Sequence, residues 1–161
     1  MEKKKIIIIG IILGVIDQII KFIVDQKIAL SANIKIIKNF FYIAKVYNQG
    51  ASWSIMQGQR IILIILGILF LFVIFKFMDD FKKDNKLNII SFSLIIGGLL
   101  GNLVDRIFRG YVIDYLNFYI FKYDFPVFNF ADCLIVVGVI ILLIRMLMGD
   151  GNENKSRSKW Y

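Results

Sequence analysis

The chain has 161 residues, 58% of them hydrophobic, and a formal net charge of +8. Soluble domains are about 45–50% apolar, so this composition suits lipid as the solvent. The absence of histidine excludes Ser-His-Asp and Cys-His catalysis and disfavours a zinc hydrolase. The basic charges gather at the ends of apolar runs instead of forming one solvated face, which argues against a nucleic-acid partner.

A helix needs about 20 apolar residues to cross the hydrocarbon core. The first candidate span, about 6–24, is interrupted by Asp17, Gln18 and Lys21. Asp17 and Lys21 are four residues apart and share a helix face. Two readings stay open: an ion pair that makes both residues tolerable in lipid, or direct contact with a substrate. The lysine-rich start and Ala29-Leu30-Ser31-Ala32 suggest a cleaved signal peptide over residues 1–32, but Asp17 and Lys21 inside the apolar region argue against it. Residues 25–60 form a first long loop. Its runs Lys35-Ile36-Ile37-Lys38 and Phe40 to Val46 predict a small sheet, with Phe40, Phe41, Tyr42 and Trp53 at headgroup depth. The second span is about 61–78, with Lys76 near its end, and the third about 87–104, with Gly97, Gly98 and Gly101 late in it. Small residues there predict close helix packing. A second long loop covers about 105–130. The fourth span is about 131–148, with Arg145 able to snorkel, and residues 149–161 form a polar, disordered tail.

Lys3, Lys4 and Lys5, then Lys82, Lys83 and Lys86, then Lys155, Arg157 and Lys159 flank the spans on one side. The positive-inside rule places them in the cytoplasm, although Lys27, Lys35, Lys38, Lys45 and Arg109 occupy the opposite loops. The expected fold is therefore an all-α membrane protein forming one integral domain. It has four transmembrane helices, both termini cytoplasmic, and a small extracytoplasmic β-rich element. The single cysteine, Cys133, permits no intrachain disulfide.

The carboxylates Asp105, Asp114 and Asp132 lie within the short stretch from Gly101 to Cys133, where the third span ends and the fourth begins. Charged groups at a bilayer boundary are costly and mark function. Asn102, Asp105 and Arg106 occupy positions i, i+3 and i+4 of a helix end. Arg106 is a candidate to grip a carboxylate through its guanidinium fork, and a capped helix end is the plainer alternative. Asp132 opens the fourth helix, where an N-terminal capping role would explain it. Asp114, alone within Tyr111-Val112-Ile113-Asp114-Tyr115-Leu116, has no such explanation. Two carboxylates brought together share a proton, and one can serve as general base while the other serves as general acid. That chemistry hydrolyses a peptide without metal or cofactor. The rival readings are a small transporter or channel lined by Asp17, Lys21, Asp105 and Asp114, and a non-catalytic assembly partner.

The segments Asp17-Gln18 with Lys21, Asn48-Gln49-Gly50-Ala51, Gly101-Asn102 with Asp105-Arg106, Val112-Ile113-Asp114, and Phe128-Asn129 with Ala131-Asp132 occur in this order. Together they resemble the bacterial lipoprotein signal peptidases (signal peptidase II) along nearly the whole chain. The resemblance implies an aspartic endopeptidase of the bacterial cell membrane, with Asp114 and Asp132 as the catalytic pair near the outer leaflet. It implies supporting or substrate-binding roles for Asp17, Lys21, Asn48, Gly50, Gly101, Asn102, Asp105, Arg106 and Asn129. The implied substrate is a diacylglyceryl-modified prolipoprotein cut just before its lipidated cysteine. The implied inhibitor is of the globomycin type. No cofactor, no metal and a monomer within membrane lipids are expected. Cys133 and Ser52 depart from the residues usual in the family, serine and alanine, and both changes are small.

Overall fold

A computed structural model describes residues 2–51, 55–81, 85–121 and 123–148. Ser52, Trp53, Lys82, Lys83, Lys155, Arg157, Lys159 and the tail 149–161 lie outside the described residues. Among the described residues, four helices are long and apolar enough to cross a membrane: α1 (Glu2–Lys27), α2 (Arg60–Phe77), α3 (Lys86–Phe108) and α4 (Phe130–Leu147). Between them lie β1 (Asn33–Ile37), β2 (Phe41–Asn48), β3 (Val112–Ile120) and β4 (Tyr123–Asp124).

Helix α3 is the buried centre of the bundle. In its most apolar stretch 67% is buried, against 28% for α1 and α4 and 6% for α2. The reason lies in its small residues. A Cβ placed on Gly98 would sit 2.3 Å from the Ala131 carbonyl oxygen, and one on Gly101 would sit 2.4 Å from Asp17 Oδ2. Gly98 therefore lets α4 approach the α3 backbone, and Gly101 makes room for the Asp17 carboxylate of α1, as small residues do where no hydrophobic force drives helices together in lipid. Apolar side chains on the outer faces, such as Phe22, Ile65, Phe72 and Ile140, remain exposed and suit lipid contact.

The sheet differs from expectation in extent. A sheet was expected from the first long loop alone, and β1 and β2 lie there as predicted. Strand β3, from the second loop, joins them to form an antiparallel sheet of order β1-β2-β3-β4. In the β2–β3 register Val46 pairs with Asp114 and Asn48 with Val112, with an irregularity between Ile43 and Val46. Helix α3 also runs four residues past its expected end, to Phe108. Asp105 and Arg106 are thus helical, and Arg60, at the start of α2, donates to the Arg106 and Ile107 carbonyls at 2.7 Å each. That satisfies carbonyls left open at a helix C-terminus.

Two clips fasten the sheet to the bundle. Lys45 Nζ donates to the Asp25 carbonyl at 2.6 Å and pairs with Asp25 Oδ1 at 2.8 Å, and the Tyr47 hydroxyl donates to the same carboxylate at 2.8 Å. Leu116 and Phe128 exchange backbone hydrogen bonds, with Phe128 stacked on Phe118. The second clip draws the residues before α4 onto β3 and sets Asn129 beside Asp114.

Candidate active site

Asp114 comes from the third residue of β3 and is 3% exposed. Its Oδ2 accepts from Asn48 Nδ2 at 2.9 Å and its Oδ1 from Asn129 Nδ2 at 2.6 Å. Asn48 is held by its own turn, its side-chain oxygen accepting from the Gly50 backbone N–H at 2.9 Å. Asp132 comes from the first turn of α4. There it forms a reciprocal cap with Asn129: each side chain accepts from the other's backbone N–H, at 3.1 Å both ways. The second oxygen of Asp132 accepts from Asn102 Nδ2 at 2.8 Å. The capping role foreseen for Asp132 is real, and it leaves the carboxylate in the wall of the same cavity as Asp114.

That cavity encloses about 780 Å³ between α2, α3, α4 and the residues preceding α4. Asn48, Asn102, Arg106, Asp114 and Asp132 line one part, and Leu63, Leu66, Phe70, Leu103, Val136 and Val137 line much of the rest. Burial, and then the negative charge of Asp132, push the Asp114 carboxyl up to about 7. Near neutrality, Asp114 is therefore able to carry a proton.

Behind the cavity lies a second polar layer. Lys21, fully buried, pairs with Asp17 Oδ2 at 2.8 Å and Asp105 Oδ2 at 3.0 Å, and donates to Asn102 Oδ1 at 2.9 Å. Asp17 Oδ1 accepts from the Ala131 N–H at 3.0 Å, which ties α1 to the start of α4. Of the two readings of Asp17 and Lys21, the geometry shows the ion pair, since neither residue reaches the cavity. Asp105 is fully buried too, bonded by Lys21, Gln18, Arg109 and the Ile113 N–H. It supports the wall without facing the cavity. Gly101 admits Asp17, and the Gly50 carbonyl receives Arg106.

Arg106 corrects its expectation. Among the described residues its guanidinium grips no carboxylate; it donates to the Gly50 carbonyl at 3.0 Å and the Asn102 carbonyl at 3.3 Å. Its Nε has no partner among the described residues. The cause is helical geometry: Asp105 and Arg106 are consecutive, so they project to different sides, Asp105 toward α1 and Arg106 toward the cavity.

Gln18 and Arg109 were not expected in the network. Gln18 donates to the Gly101 carbonyl at 3.0 Å and accepts from Arg109 at 2.8 Å. A signal existed, because Arg109 follows Asp105 with the same four-residue spacing that marked Asp17 and Lys21. Tyr115 was also missed; its hydroxyl accepts from the Phe130 N–H at 3.2 Å and so caps α4.

A family model described as signal peptidase (SPase) II matches residues 8–148. Two solved structures, each described as a bacterial membrane enzyme structure by the in meso method, are similar over nearly the whole chain. One, at 2.3 Å resolution, is 33% identical with a TM-score of 0.79, covering 92% of this chain and 90% of its own. The other, at 1.9 Å, is 33% identical with a TM-score of 0.77, covering 89% and 93%.

Proposed function

Because the chain belongs to the signal peptidase II family, and so is an aspartic peptidase of bacterial membranes acting on lipoproteins, we propose that Asp114 and Asp132 are its catalytic pair. In this reading it removes the signal peptide from a diacylglyceryl-modified prolipoprotein, cutting just before the lipidated cysteine. The observation that carries the proposal is the convergence of the two carboxylates on one cavity whose remaining walls are largely apolar. An acyl chain and a signal helix suit the apolar walls, and the peptide bond suits the polar part.

The roles follow from the environments. Asp132, as carboxylate, takes a proton from a water that attacks the scissile carbonyl carbon. Asp114, the deeper group and able to hold a proton near neutrality, gives that proton to the carbonyl oxygen. A tetrahedral diol results. When it collapses, the C–N bond breaks, the nitrogen of the lipidated cysteine takes a proton from Asp132, and Asp114 recovers its own from the diol hydroxyl. Asn48 and Asn129 hold Asp114 through its oxygens, and Arg106 lines the cavity beside them. The polar part faces the outer leaflet, with both termini cytoplasmic, by the charge asymmetry of the loops. The enzyme works as a monomer, and a globomycin-type inhibitor occupies the same cavity.

The test is cleavage of a lipidated precursor, read by gel mobility, for wild type, Asp114→Asn and Asp132→Asn. Each variant is expected to stay folded in the membrane and to leave the precursor uncut, a loss of about 10²–10⁴-fold. Processing at the wild-type rate by either variant would reject the assignment.

A further inference from the structure

Lys21 is buried on α1, and its ammonium has three partners: two carboxylates and the neutral carbonyl oxygen of the Asn102 side chain. A buried ion cluster is weak evidence for stability, since apolar residues of similar volume often serve as well. The third contact points to a different use. Asn102 Oδ1 accepts from Lys21 at 2.9 Å and from Asn129 Nδ2 at 3.2 Å, while Asn102 Nδ2 donates to Asp132 Oδ1 at 2.8 Å. With two donors facing its oxygen, the amide has one admissible orientation. The flipped amide would set its NH₂ against an ammonium group. A cation on the carbonyl side also polarises the amide and strengthens its N–H as a donor.

We propose that Lys21 is a positioning residue for the hydrolysis. It locks and polarises Asn102 so that the Asn102 amide is aimed at the Asp132 carboxylate, although Lys21 itself touches neither substrate nor cavity. The inference rests on Asp132 being one of the reacting pair. It gives the intramembrane lysine a use beyond its pairing with Asp17, since Asp105 already has Arg109 as a counter-ion.

Removal of Lys21 alone strands the Asp17 carboxylate, so the informative variant is Asp17→Asn with Lys21→Met, which removes one charge of each sign. The full chain in detergent micelles is assayed for kcat and KM on a lipidated precursor. These are normalised to the folded fraction on gel filtration. The expected result is a kcat lowered about 10- to 100-fold, the worth of one hydrogen bond to a charged group, with KM within about twofold. A cycle with Asn102→Ala separates positioning from packing. If Lys21 acts through Asn102, adding the pair of substitutions to Asn102→Ala lowers kcat no further. A wild-type kcat, a multiplicative loss in the combined variant, or failure of the charge-balanced variant to fold would each overturn the proposal. Asp132→Asn run beside them keeps the two readings apart. Its full activity sinks the catalytic pair, whereas its inactivity beside an unaffected Asp17→Asn, Lys21→Met protein sinks only the positioning role.

Discussion

Burial of Asp114 should be visible as pH-dependent stability, with a sign that an aspartate forming surface ion pairs would not give. Its folded-state value lies near 7, above the ordinary 3.8. A carboxyl raised in this way contributes its stability fully below about 3.8, and that stability is lost as pH rises through about 7. A rise of about 3 pH units corresponds to about 4 kcal/mol. The 3% exposure of Asp114 leaves little solvent screening to reduce it. Asp114→Asn removes this charge penalty. It also turns one accepting oxygen into a donor that faces the amide of Asn48 or Asn129, a loss of about 1–2 kcal/mol. The larger effect wins at alkaline pH. Thermal unfolding in micelles, followed from pH 4 to 9, should show wild type weakening between about pH 4 and 7. Asp114→Asn should be nearly flat across that window and about 2–3 kcal/mol more stable than wild type at pH 8.5. Activity should fall on the alkaline side in wild type as Asp114 loses its proton. A variant less stable than wild type at pH 8.5 would show that the site accommodates the ionised carboxylate, and the acid role of Asp114 would fail with it.

Gly98→Ala should be far more damaging than its size suggests, because the new methyl meets the Ala131 carbonyl oxygen at 2.3 Å and Ile135 at 2.7 Å. A loss of at least about 1–3 kcal/mol is expected in the same unfolding assay, whereas Gly67→Ala, which meets only a Leu103 methyl at 3.2 Å, should be nearly silent. Cys133 lines the cavity next to Asp132 and is partly accessible. A bulky maleimide should block precursor cleavage in wild type, and Cys133→Ser should cleave normally and resist the reagent; inhibition of both proteins alike would place the reaction elsewhere.

The four helices were legible because lipid tolerates few interruptions in a crossing segment, and each interruption in the first span proved to be a network residue. Strand β3 was not legible. It is buried on both faces through Val112, Ile113, Asp114 and Tyr115, so its pattern has no polar alternation to read. Its pairing with β2 joins residues from 64 (Asn48 with Val112) to 77 (Phe41 with Phe118) positions apart, and no local signal encodes that. Arg106 was misread for a related reason. An arginine beside an aspartate suggests a carboxylate partner, but its strongest contact is a backbone carbonyl 56 residues away, and a carbonyl has no side-chain signature. Asn129 shows the opposite case. The motif marked it, yet its use as cap, as donor to Asp114 and as donor to Asn102 depends on the Leu116–Phe128 clip that only the fold reveals.

The layout of charge also decides between a peptidase and an ion pathway built from the same residues. Conduction requires polar groups spaced along the route, since an unsolvated ion in a low-dielectric interior is costly over every few ångströms. Asp17, Lys21 and Asp105, expected to line such a route, instead pair with one another and with Arg109 outside the cavity. The cavity's polar residues come from the last turns of α3, the first turn of α4 and the adjoining ends of β2 and β3. Its α2 and α4 walls offer Leu66, Phe70, Ile135, Val136 and Val137, which would strip water from an ion and return nothing. An amphiphile is matched on both counts: hydrocarbon lies against the apolar wall while a polar linkage reaches the carboxylates. A chain bearing fatty acyl groups next to a scissile peptide bond has that form, which a transported ion lacks.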